Sequence, residues 1–527
     1  MRVLGIEGTA WAASAAVHDA EADDTTILTD AYEPDSGGIH PREAAEHMRE
    51  AIPAVVREAR DRADDDIDAV AFSRGPGLGP CLRIVGTAAR ASAQTLDVPL
   101  VGVNHMLAHL EIGRHTAGFD SPVCLNASGA NAHLLGFHNG RYRMLGETMD
   151  TGVGNAIDKF TRHVGWSHPG GPKVESNANG GEYIDLPYVV KGMDFSFSGI
   201  MSAAKEAYDD GESVADVCFS LQEHVFGMLA EVSERALSLT GNDELVLGGG
   251  VGQNARLQAM LREMCEQRGA SFHAPEPRFL RDNAGMIAVL GARMAEAGDT
   301  VAVSDSRVLP NYRPDEVDVT WRADEDVARE TSVGTQRGAE AAVRRVGDAS
   351  VEKARAPKVY RHPELDDRLR RERTRGEARL LHDARKLGVS TPVIRDVDPR
   401  EATLTLEHVG ASDLGESLSE GAVGAVGRHL ATLHGAGLVH GDPTTRNVRV
   451  SGADASERVW LIDFGLGFHS SHVEDYAMDL HVFEQSLAGT ARDPAPLLGA
   501  FEAAYREAGD PRVVAQLREI EGRGRYQ

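Results

Sequence analysis

The 527-residue sequence contains very little lysine. Only seven lysines occur, so arginine supplies most of the 55 basic residues, and 81 acidic residues give a formal net charge of −26. This charge excludes broad packing against nucleic acid or an acidic membrane unless basic residues are concentrated locally. Many carboxylates with scarce lysine are typical of proteins from a salt-rich cytoplasm, where dense salt screens the mutual repulsion. We therefore interpret the surface as halophilic, the alternative being an acidic protein from ordinary salt.

Cysteine and long apolar runs are scarce as well. Four widely spaced cysteines form no C-x-x-C pair, which excludes a disulfide framework and indicates a reducing compartment. No stretch approaches the ~20 apolar residues that span a bilayer. Glu7 interrupts the apolar start MRVLGIEGTAWAASAAV, so we predict no signal peptide. We expect a cytoplasmic protein that does not contact a membrane and has two to four domains by length.

Strand-like and helix-like segments alternate over roughly the first 310 residues. VLGIEG and ELVLGGGVGQNARL each predict a strand followed by a glycine turn, and such alternation indicates an α/β domain with a covered sheet. Two such units far apart could form the halves of one cleft. The polar, acidic segment 311–333 predicts an interdomain linker. We place the domains at 1–318 and 332–527, with 319–331 between them.

Two histidines lie four positions apart in NHMLAHL, at His105 and His109. On a helix both side chains would project from one face. Asp282, in RDNAGMIA, offers a carboxylate before a helix-like segment, and two imidazoles with a carboxylate suit iron or zinc acting as a Lewis acid. A zincin protease would carry glutamate after the first histidine, where this chain has Met106. A purely structural role for the histidine pair is the alternative.

Glycine-rich turns recur in the same domain. EGT, NASGAN, PGGPKVE and LGGGVGQN could each present backbone N–H groups to a phosphate. Any one of them is compatible with an ordinary turn. Several turns beside three metal-ligating residues predict a nucleotide cleft.

The second domain carries kinase motifs in kinase order. HGDPTTRN has the spacing of the catalytic loop H-x-D-x-x-x-x-N, and IDFG follows it. Phosphoryl transfer needs a lysine on the phosphates, an aspartate near the hydroxyl, and oxygen ligands for magnesium. We assign ATP binding to Lys353, the catalytic role to Asp442, magnesium to Asn447 and Asp463, and the ion pair with Lys353 to Glu377.

Two kinase features are missing from this domain. It has no G-x-G-x-x-G loop, and VEDYAMDL follows the DFG motif without a long activation segment. With HGD-T-T-N, DFG, GAEA and KVYRHPELD, the domain resembles the small atypical kinase of the KEOPS complex. The resemblance implies an α+β protein-kinase-like fold and an ATPase, using ATP and magnesium, that serves its partner. It also implies that the nucleotide is lined by Ser332, Val333, Gly334, Thr335, Gln336, Arg337, Gly338, Ala339 and Glu340.

The first domain has its own family resemblance. NHMLAHLEIG, SGAN, ETMDTGVGNAIDKF, HPGGPKVE, FSFSG, LGGGVGQNARL and RDNAGMIA together resemble the universal tRNA threonylcarbamoyladenosine transferase, once labelled a glycoprotease. This implies an α/β actin-like (sugar-kinase/actin superfold) domain, and the whole chain resembles the archaeal fusion of the two proteins. The implied reaction moves threonylcarbamoyl from threonylcarbamoyl-AMP to the exocyclic amine of the adenosine next to the anticodon in ANN-decoding tRNAs. The implied partners are tRNA and other KEOPS subunits.

The resemblance also assigns residues. His105, His109 and Asp282 match its metal ligands. Asn126 stands where the archaeal pattern has a metal-binding tyrosine, and its amide is shorter and cannot become a phenolate. Ala130 replaces a glycine, and its methyl group could crowd the adenylate. The positions that match the substrate site are Asn126, Ala127, Ser128, Gly129, Ala130, Asp158, Gly171, Glu175 and Asn254.

Two other functional classes stay open. One is a metalloprotease fused to a Ser/Thr protein kinase, and the other is a scaffold whose nucleotide sites only regulate assembly. For tRNA, the arginines of RHPELDDRLRRERTRGEAR and the tail GRGR are candidate phosphate contacts. Ion pairing with neighbouring carboxylates is the alternative for these arginines.

Overall fold

The structure is a computed structural model that describes residues 1–32, 40–138, 140–322, 336–347, 349–452 and 457–523. Two five-stranded sheets with helices form the part up to residue 322. A third five-stranded sheet and a mainly helical lobe form the rest. Among these residues, no helix has the length and apolarity needed to cross a membrane.

The first two sheets follow one plan. Their strands, with a short hairpin of β9 and β10, are β1 (Arg2–Glu7), β2 (Ala12–Asp19), β3 (Asp24–Ala31), β4 (Ala69–Gly75), β5 (Leu100–Asn104), β6 (Val123–Ala127), β7 (Ala132–His138), β8 (Arg141–Glu147), β9 (Val190–Lys191), β10 (Asp194–Phe195), β11 (Glu244–Gly248) and β12 (Ser271–His273). The orders are β3-β2-β1-β4-β5 and β12-β11-β6-β7-β8. In each sheet the central strand pairs antiparallel on one side and parallel on the other. The predicted α/β domain with two related halves is confirmed.

Helices cover these sheets and separate them. They are α1 (Pro41–Arg62), α2 (Gly79–Leu96), α3 (His105–Ala117), α4 (Val153–His163), α5 (Gly171–Asn177), α6 (Ser198–Asp209), α7 (Val214–Thr240), α8 (Ala255–Arg268), α9 (Pro277–Leu280) and α10 (Ala284–Glu296). Helices α3 and α10 contribute to one core cluster together with strands of both sheets. Gly5 allows α10 to pack closely on β1, because a Cβ at this position would lie 2.4 Å from the carbonyl oxygen of Ala284. The helix that carries the histidine pair is therefore held between the two halves.

The second domain has the α+β architecture that its family resemblance implies. Its elements are β13 (Gln336–Arg337), β14 (Ala342–Val346), β15 (Ser350–Ala354), α11 (Pro363–Lys386), β16 (Ile394–Asp398), β17 (Thr403–Glu407), β18 (Ser412–Asp413), α12 (Glu420–Gly435), β19 (Leu438–Val439), β20 (Val448–Ser451), β21 (Arg458–Leu461), β22 (Phe468–His469), α13 (Val473–Thr490), α14 (Ala495–Ala508) and α15 (Pro511–Arg523). The larger sheet has the antiparallel order β13-β14-β15-β17-β16, and α11 packs on β16. Strands β18 to β22 form two small sheets in the helical lobe.

The two domains share packed surface. Val317 and Trp321, from the polar segment predicted to be a linker, pack on the first domain, and Arg322 donates to the carbonyl of Asp120. Residues 323–331 of the predicted linker lie outside the described residues. Tyr360, beyond the linker, is fully buried in a core cluster of the first domain. The domain boundaries stay a prediction.

Candidate active site

The histidine pair lies at the start of α3, as the sequence predicts. Asn104 ends β5 and caps the helix, because its side-chain oxygen accepts from the backbone N–H groups of Met106 and Leu107 at 3.0 and 3.1 Å. The cap fixes the first turn, so His105 and His109 project from one face with ring centroids 5.0 Å apart. Both side chains are buried.

Asp282 comes to these imidazoles from the loop before α10. Its Oδ1 lies 3.4 Å from Nε2 of His105 and 3.2 Å from Nε2 of His109. One ligand atom from each of the three residues falls within 4.8 Å of the others. Two imidazoles and a carboxylate with open positions suit iron or zinc, so the residues present fit the ion that the sequence predicts. The structure thus brings together three predicted ligands separated by up to 177 positions in sequence.

A second carboxylate supports this cluster from behind. Glu7, fully buried at the end of β1, accepts from Ser73 and from the backbone of Thr9, and lies 3.2 Å from Nδ1 of His105. Burial alone would lower the pKa of His105, but Glu7 and Asp282 outweigh it and raise that pKa to about 10. Sequence reasoning missed this role of Glu7, whose signal in the sequence is a carboxylate at the end of the first apolar strand.

Asn126 is the second-last residue of β6 and lies beside this cluster. It is 3 % exposed, and its Oδ1 has no hydrogen-bond partner among the described residues. A Cβ on Gly248 would lie 3.4 Å from Cβ of His109 and 3.6 Å from Oδ1 of Asn126, so both side chains border one small space. His133 faces Asn126 across the β6–β7 pair, with its Nε2 3.4 Å from Nδ2 of Asn126. Burial, His109 and His105 lower the pKa of His133 to about 3, so its ring is neutral.

The loop after Asn126 packs on the start of α4. The backbone oxygens of Ser128 and Gly129 accept from Gly154 and Asn155, while Ala127 is buried in β6. A Cβ on Gly129 would meet no atom within 4 Å, and Ala130 is exposed. This side of the loop is therefore open, as a substrate-facing turn requires.

The other predicted substrate residues lie on or next to the helices α4, α5 and α8. Asp158 on α4 accepts from the backbone of Gly170 at 2.8 Å, directly before Gly171, where α5 begins. Glu175 on α5 accepts from the backbone of Ala255 at 2.8 Å. Asn254 caps α8 through its Oδ1. The chain of contacts brings these predicted residues together along α4, α5 and α8.

The kinase motifs also converge. Lys353 on β15 is buried, and its Nζ lies 2.9 Å from Glu377 on α11 and 2.7 Å from Asp463. Burial would raise the pKa of Asp463, but Lys353 and Arg355 outweigh it and hold that pKa at about 2. Asn447 donates to Oδ2 of Asp442 at 3.1 Å. The predicted ion pair of Lys353 with Glu377 has the geometry that ATP binding by kinases needs.

The segment predicted to line the nucleotide is described only in part. Ser332, Val333, Gly334 and Thr335 lie outside the described residues, as do the side chains of Gln336 and Arg337. Gly338 and Ala339 lie in the turn before β14, where the carbonyl of Ala339 accepts from Lys358. Glu340 lies between arginines, which outweigh its burial and hold its pKa well below the usual range.

An arginine of the first domain enters the kinase site. Arg235 on α7 lies 3.0 Å from Oδ2 of Asp442 and 3.0 Å from Glu340. Burial raises the pKa of Asp442, and the arginine opposes that effect. The catalytic aspartate of the predicted kinase is thus ion-paired to the neighbouring domain. Sequence reasoning missed this contact.

Some arginines proposed for tRNA phosphates have other partners. Arg361 and Arg373 are paired with buried Glu231 on α7, and Arg361 is itself buried, so these two arginines pair across the contact between the domains rather than with neighbouring carboxylates on a helix surface. The tail GRGR at 522–525 lies partly outside the described residues, and no side chain of it is described.

Comparison with known proteins bears on both domains. A family model described as tRNA N6-adenosine threonylcarbamoyltransferase matches residues 23–289, and one described as the lipopolysaccharide kinase (Kdo/WaaP) family matches residues 318–493. A relative from Halobacterium salinarum, called a probable bifunctional tRNA threonylcarbamoyladenosine biosynthesis protein, is 70% identical and covers 100% of this chain and 99% of its own. Relatives of the same name from Haloarcula marismortui and Methanospirillum hungatei are 67% and 52% identical, each covering at least 99% of both chains.

Proposed function

The chain belongs to the family of bifunctional tRNA threonylcarbamoyladenosine biosynthesis proteins, and from this premise we propose that His105, His109 and Asp282 form its transfer site. The observation that carries the proposal is the convergence of two imidazoles on one carboxylate, at 3.2 and 3.4 Å, inside the transferase domain. The reaction moves a threonylcarbamoyl group to an adenosine next to the anticodon of ANN-decoding tRNAs.

In this proposal four side chains hold one metal ion. His105, His109, Asp282 and Asn126 would hold an iron or zinc ion, which when bound polarises the threonylcarbamoyl carbonyl. Glu7 contacts Nδ1 of His105 and so keeps Nε2 directed at the site. Because the carbonyl is oriented by the site, the domain needs no serine, cysteine or histidine nucleophile.

The donor is threonylcarbamoyl-AMP, a mixed anhydride with an activated leaving group. The adenosine amine attacks its carbonyl carbon, the bond to the phosphate oxygen breaks, AMP leaves, and the amine releases a proton to solvent. The exposed residues Gly129 and Ala130, in the turn after β6, present their backbone N–H groups to the phosphate in this proposal. Asp158 holds the turn at Gly171, Glu175 keeps one carboxylate oxygen for a ribose hydroxyl, and Asn254 orders the facing helix start.

The second domain is an ATP-binding accessory. ATP is held by Lys353 and by residues 332–340, and magnesium by Asn447 and Asp463. Since Asp442 is ion-paired to Arg235 of the transferase domain, we expect ATP hydrolysis coupled to the first domain rather than phosphorylation of diverse proteins. tRNA and other KEOPS subunits are the partners, and the cytoplasm is the compartment, of this proposal.

Transfer activity is tested by adding the purified chain to tRNA and threonylcarbamoyl-AMP. The assay is run in a cell extract depleted of this protein, because such an extract supplies the partner subunits. The expected result is modified tRNA with wild-type chain, none with His109→Ala, and loss of ATP hydrolysis but not of metal with Asp442→Ala. The same His109→Ala protein at full activity would overturn the proposal.

The metalloprotease alternative is not favoured. Met106 stands where the zincin base would be, and the family of the first domain is a transferase family. Proteolysis of a casein substrate by the metal-loaded wild-type chain, abolished by His109→Ala, is the result that would restore this alternative.

A further inference from the structure

The two polar atoms of the Asn126 side-chain amide, Nδ2 and Oδ1, have different surroundings. Its Nδ2 faces Nε2 of His133 at 3.4 Å, and its Oδ1 has no hydrogen-bond partner among the residues that the structure describes. The side chain is 97 % buried, since only 3 % is exposed. Buried polar oxygens almost always have a partner, so an open one beside two imidazoles and a carboxylate points to a cation.

The backbone fixes which residues form this pair. Asn126 and His133 are directly opposite in the antiparallel pairing of β6 with β7, and Ala127 faces Ala132 at the next position. The turn at 128–131 therefore sets the distance between amide and imidazole. A neutral imidazole accepts through one ring nitrogen, and an amide donates only through nitrogen. When Nε2 of His133 accepts, the oxygen of Asn126 must point away from β7.

A glycine keeps the space in front of that oxygen open. Gly249 has φ +85°, and a Cβ there would lie 2.5 Å from Oδ1 of Asn126 and 2.4 Å from the carbonyl of Ala127. Neither the conformation nor the contact suits another residue. The oxygen therefore faces the side of β11, where Gly248 also borders His109.

We propose that His133 is a positioning residue that turns the amide oxygen of Asn126 toward the cation held by His105, His109 and Asp282. This inference rests on the metal site of the proposed function. It gives the chain a neutral oxygen ligand, fixed by a histidine outside the ligand set, where the related archaeal pattern has a tyrosine. Outer partners that orient a ligand typically change metal affinity 10–100-fold when removed.

The test uses the full-length chain stripped of metal and titrated with Co²⁺ against a chelator. Asn126→Ala and His133→Ala should each weaken Co²⁺ binding about tenfold and change the visible d–d spectrum in the same way. In the double variant the loss should equal that of Asn126→Ala alone, because His133 acts only through the amide. His18→Ala is the matched control, since His18 is equally buried but pairs with Thr25, and it should leave the spectrum unchanged.

Two further variants separate orientation from folding. His133→Gln offers an amide oxygen to Nδ2 of Asn126 and should restore Co²⁺ affinity. In an Asn126→Asp background, where the carboxylate needs no orientation, His133→Ala should not weaken binding further. These two comparisons decide the question even when His133→Ala alone folds poorly.

The failures are distinguishable. If His133→Ala kept the wild-type spectrum and Co²⁺ affinity, the role of His133 would be overturned while the metal site stood. The same holds if His133→Ala weakened Co²⁺ binding as much in the Asn126→Ala background as in the wild-type chain. If His109→Ala bound Co²⁺ as tightly as the wild-type chain, the proposed metal site itself would fail.

Discussion

At the residue scale, buried carboxylates in this protein differ by whether a cation faces them. Burial raises the pKa of Asp282, but two imidazoles outweigh it and hold that pKa far below the usual range. Asp194 is more deeply buried, its carboxylate accepts from the backbone N–H of Glu147 at 2.9 Å, and burial raises its pKa to about 7. Asp282 is thus ready to hold a cation, and Asp194 keeps a proton.

The proton on Asp194 predicts a pH dependence. The folded state binds this proton more tightly than the unfolded chain, whose aspartates titrate near 4, so folding stability is lost as pH rises from about 4 to 7. The loss from this group is at most about 4 kcal/mol by linkage. Asp194→Asn keeps an acceptor for Glu147 without a charge, so it should raise the free energy of unfolding at pH 8 and flatten its decline above pH 5.

Urea unfolding at pH 5 and pH 8, in fixed high salt, checks this prediction. Asp61→Asn, at an exposed aspartate near the end of α1, serves as a control and should leave the pH dependence unchanged. An Asp194→Asn variant that is less stable than wild type at pH 8 would contradict the assignment of a protonated carboxyl.

At the element scale, α7 joins the two domains. Its Glu231 contacts Tyr188 of the first domain and Arg361 and Arg373 of the second, at 2.6–3.2 Å. Buried along most of its length, the helix has no single apolar face. Because a buried charge is costly when its partner is removed, this carboxylate is central to the attachment of the kinase-like domain.

Removing that carboxylate gives the prediction at this scale. Glu231→Ala removes one carboxylate from buried Arg361 and from partly buried Arg373, which keep Asp366 and Glu340 as partners, so it should lower the free energy of unfolding by about 3 kcal/mol. Calorimetry should then show the kinase-like domain melting before the first domain. Glu266→Ala, an exposed glutamate near the end of α8, should stay within about 0.5 kcal/mol of wild type. A single transition at the wild-type temperature in Glu231→Ala would contradict this account of α7.

Sequence-based predictions agree best with the structure where the sequence pattern spans only a few neighbouring residues. The helix start at His105 could be predicted because its cap and its i,i+4 pair lie within seven residues, and strands β1 and β11 show as apolar runs before glycine. Asp282 had only a weak local signal, a carboxylate before a helix-like segment, and the family resemblance then matched it to a metal ligand. Arg235 could not be predicted, because its partner Asp442 is 207 positions away and no local pattern links the two. The pair of Asn126 with His133 does have a local signal, the hairpin register across SGAN, which sequence reasoning did not use.

At the scale of the whole molecule, charge governs stability. A net charge of −26 repels itself at low salt, and the Debye length falls from about 10 Å at 0.1 M to about 3 Å at 1 M. We therefore predict that the melting temperature rises by several degrees between about 0.2 M and 3 M KCl. Most of this rise should occur below about 1 M KCl, because the Debye length has by then already fallen to about 3 Å. A melting temperature that falls with KCl would show that the surface ion pairs outweigh the repulsion.

The division of labour between the domains is also a property of the whole molecule. The proposed transfer site lies on α3 and before α10, between the two halves of the first domain, and the kinase-like site borders α7. Nucleoside mass spectrometry tests most directly whether three convergent side chains, His105, His109 and Asp282, make the first domain a threonylcarbamoyltransferase. tRNA is taken from cells depleted of the wild-type chain and supplied with His109→Ala. The account predicts that threonylcarbamoyladenosine falls to the level of the depleted cells; a wild-type level, with a purified variant that binds no metal, would contradict it.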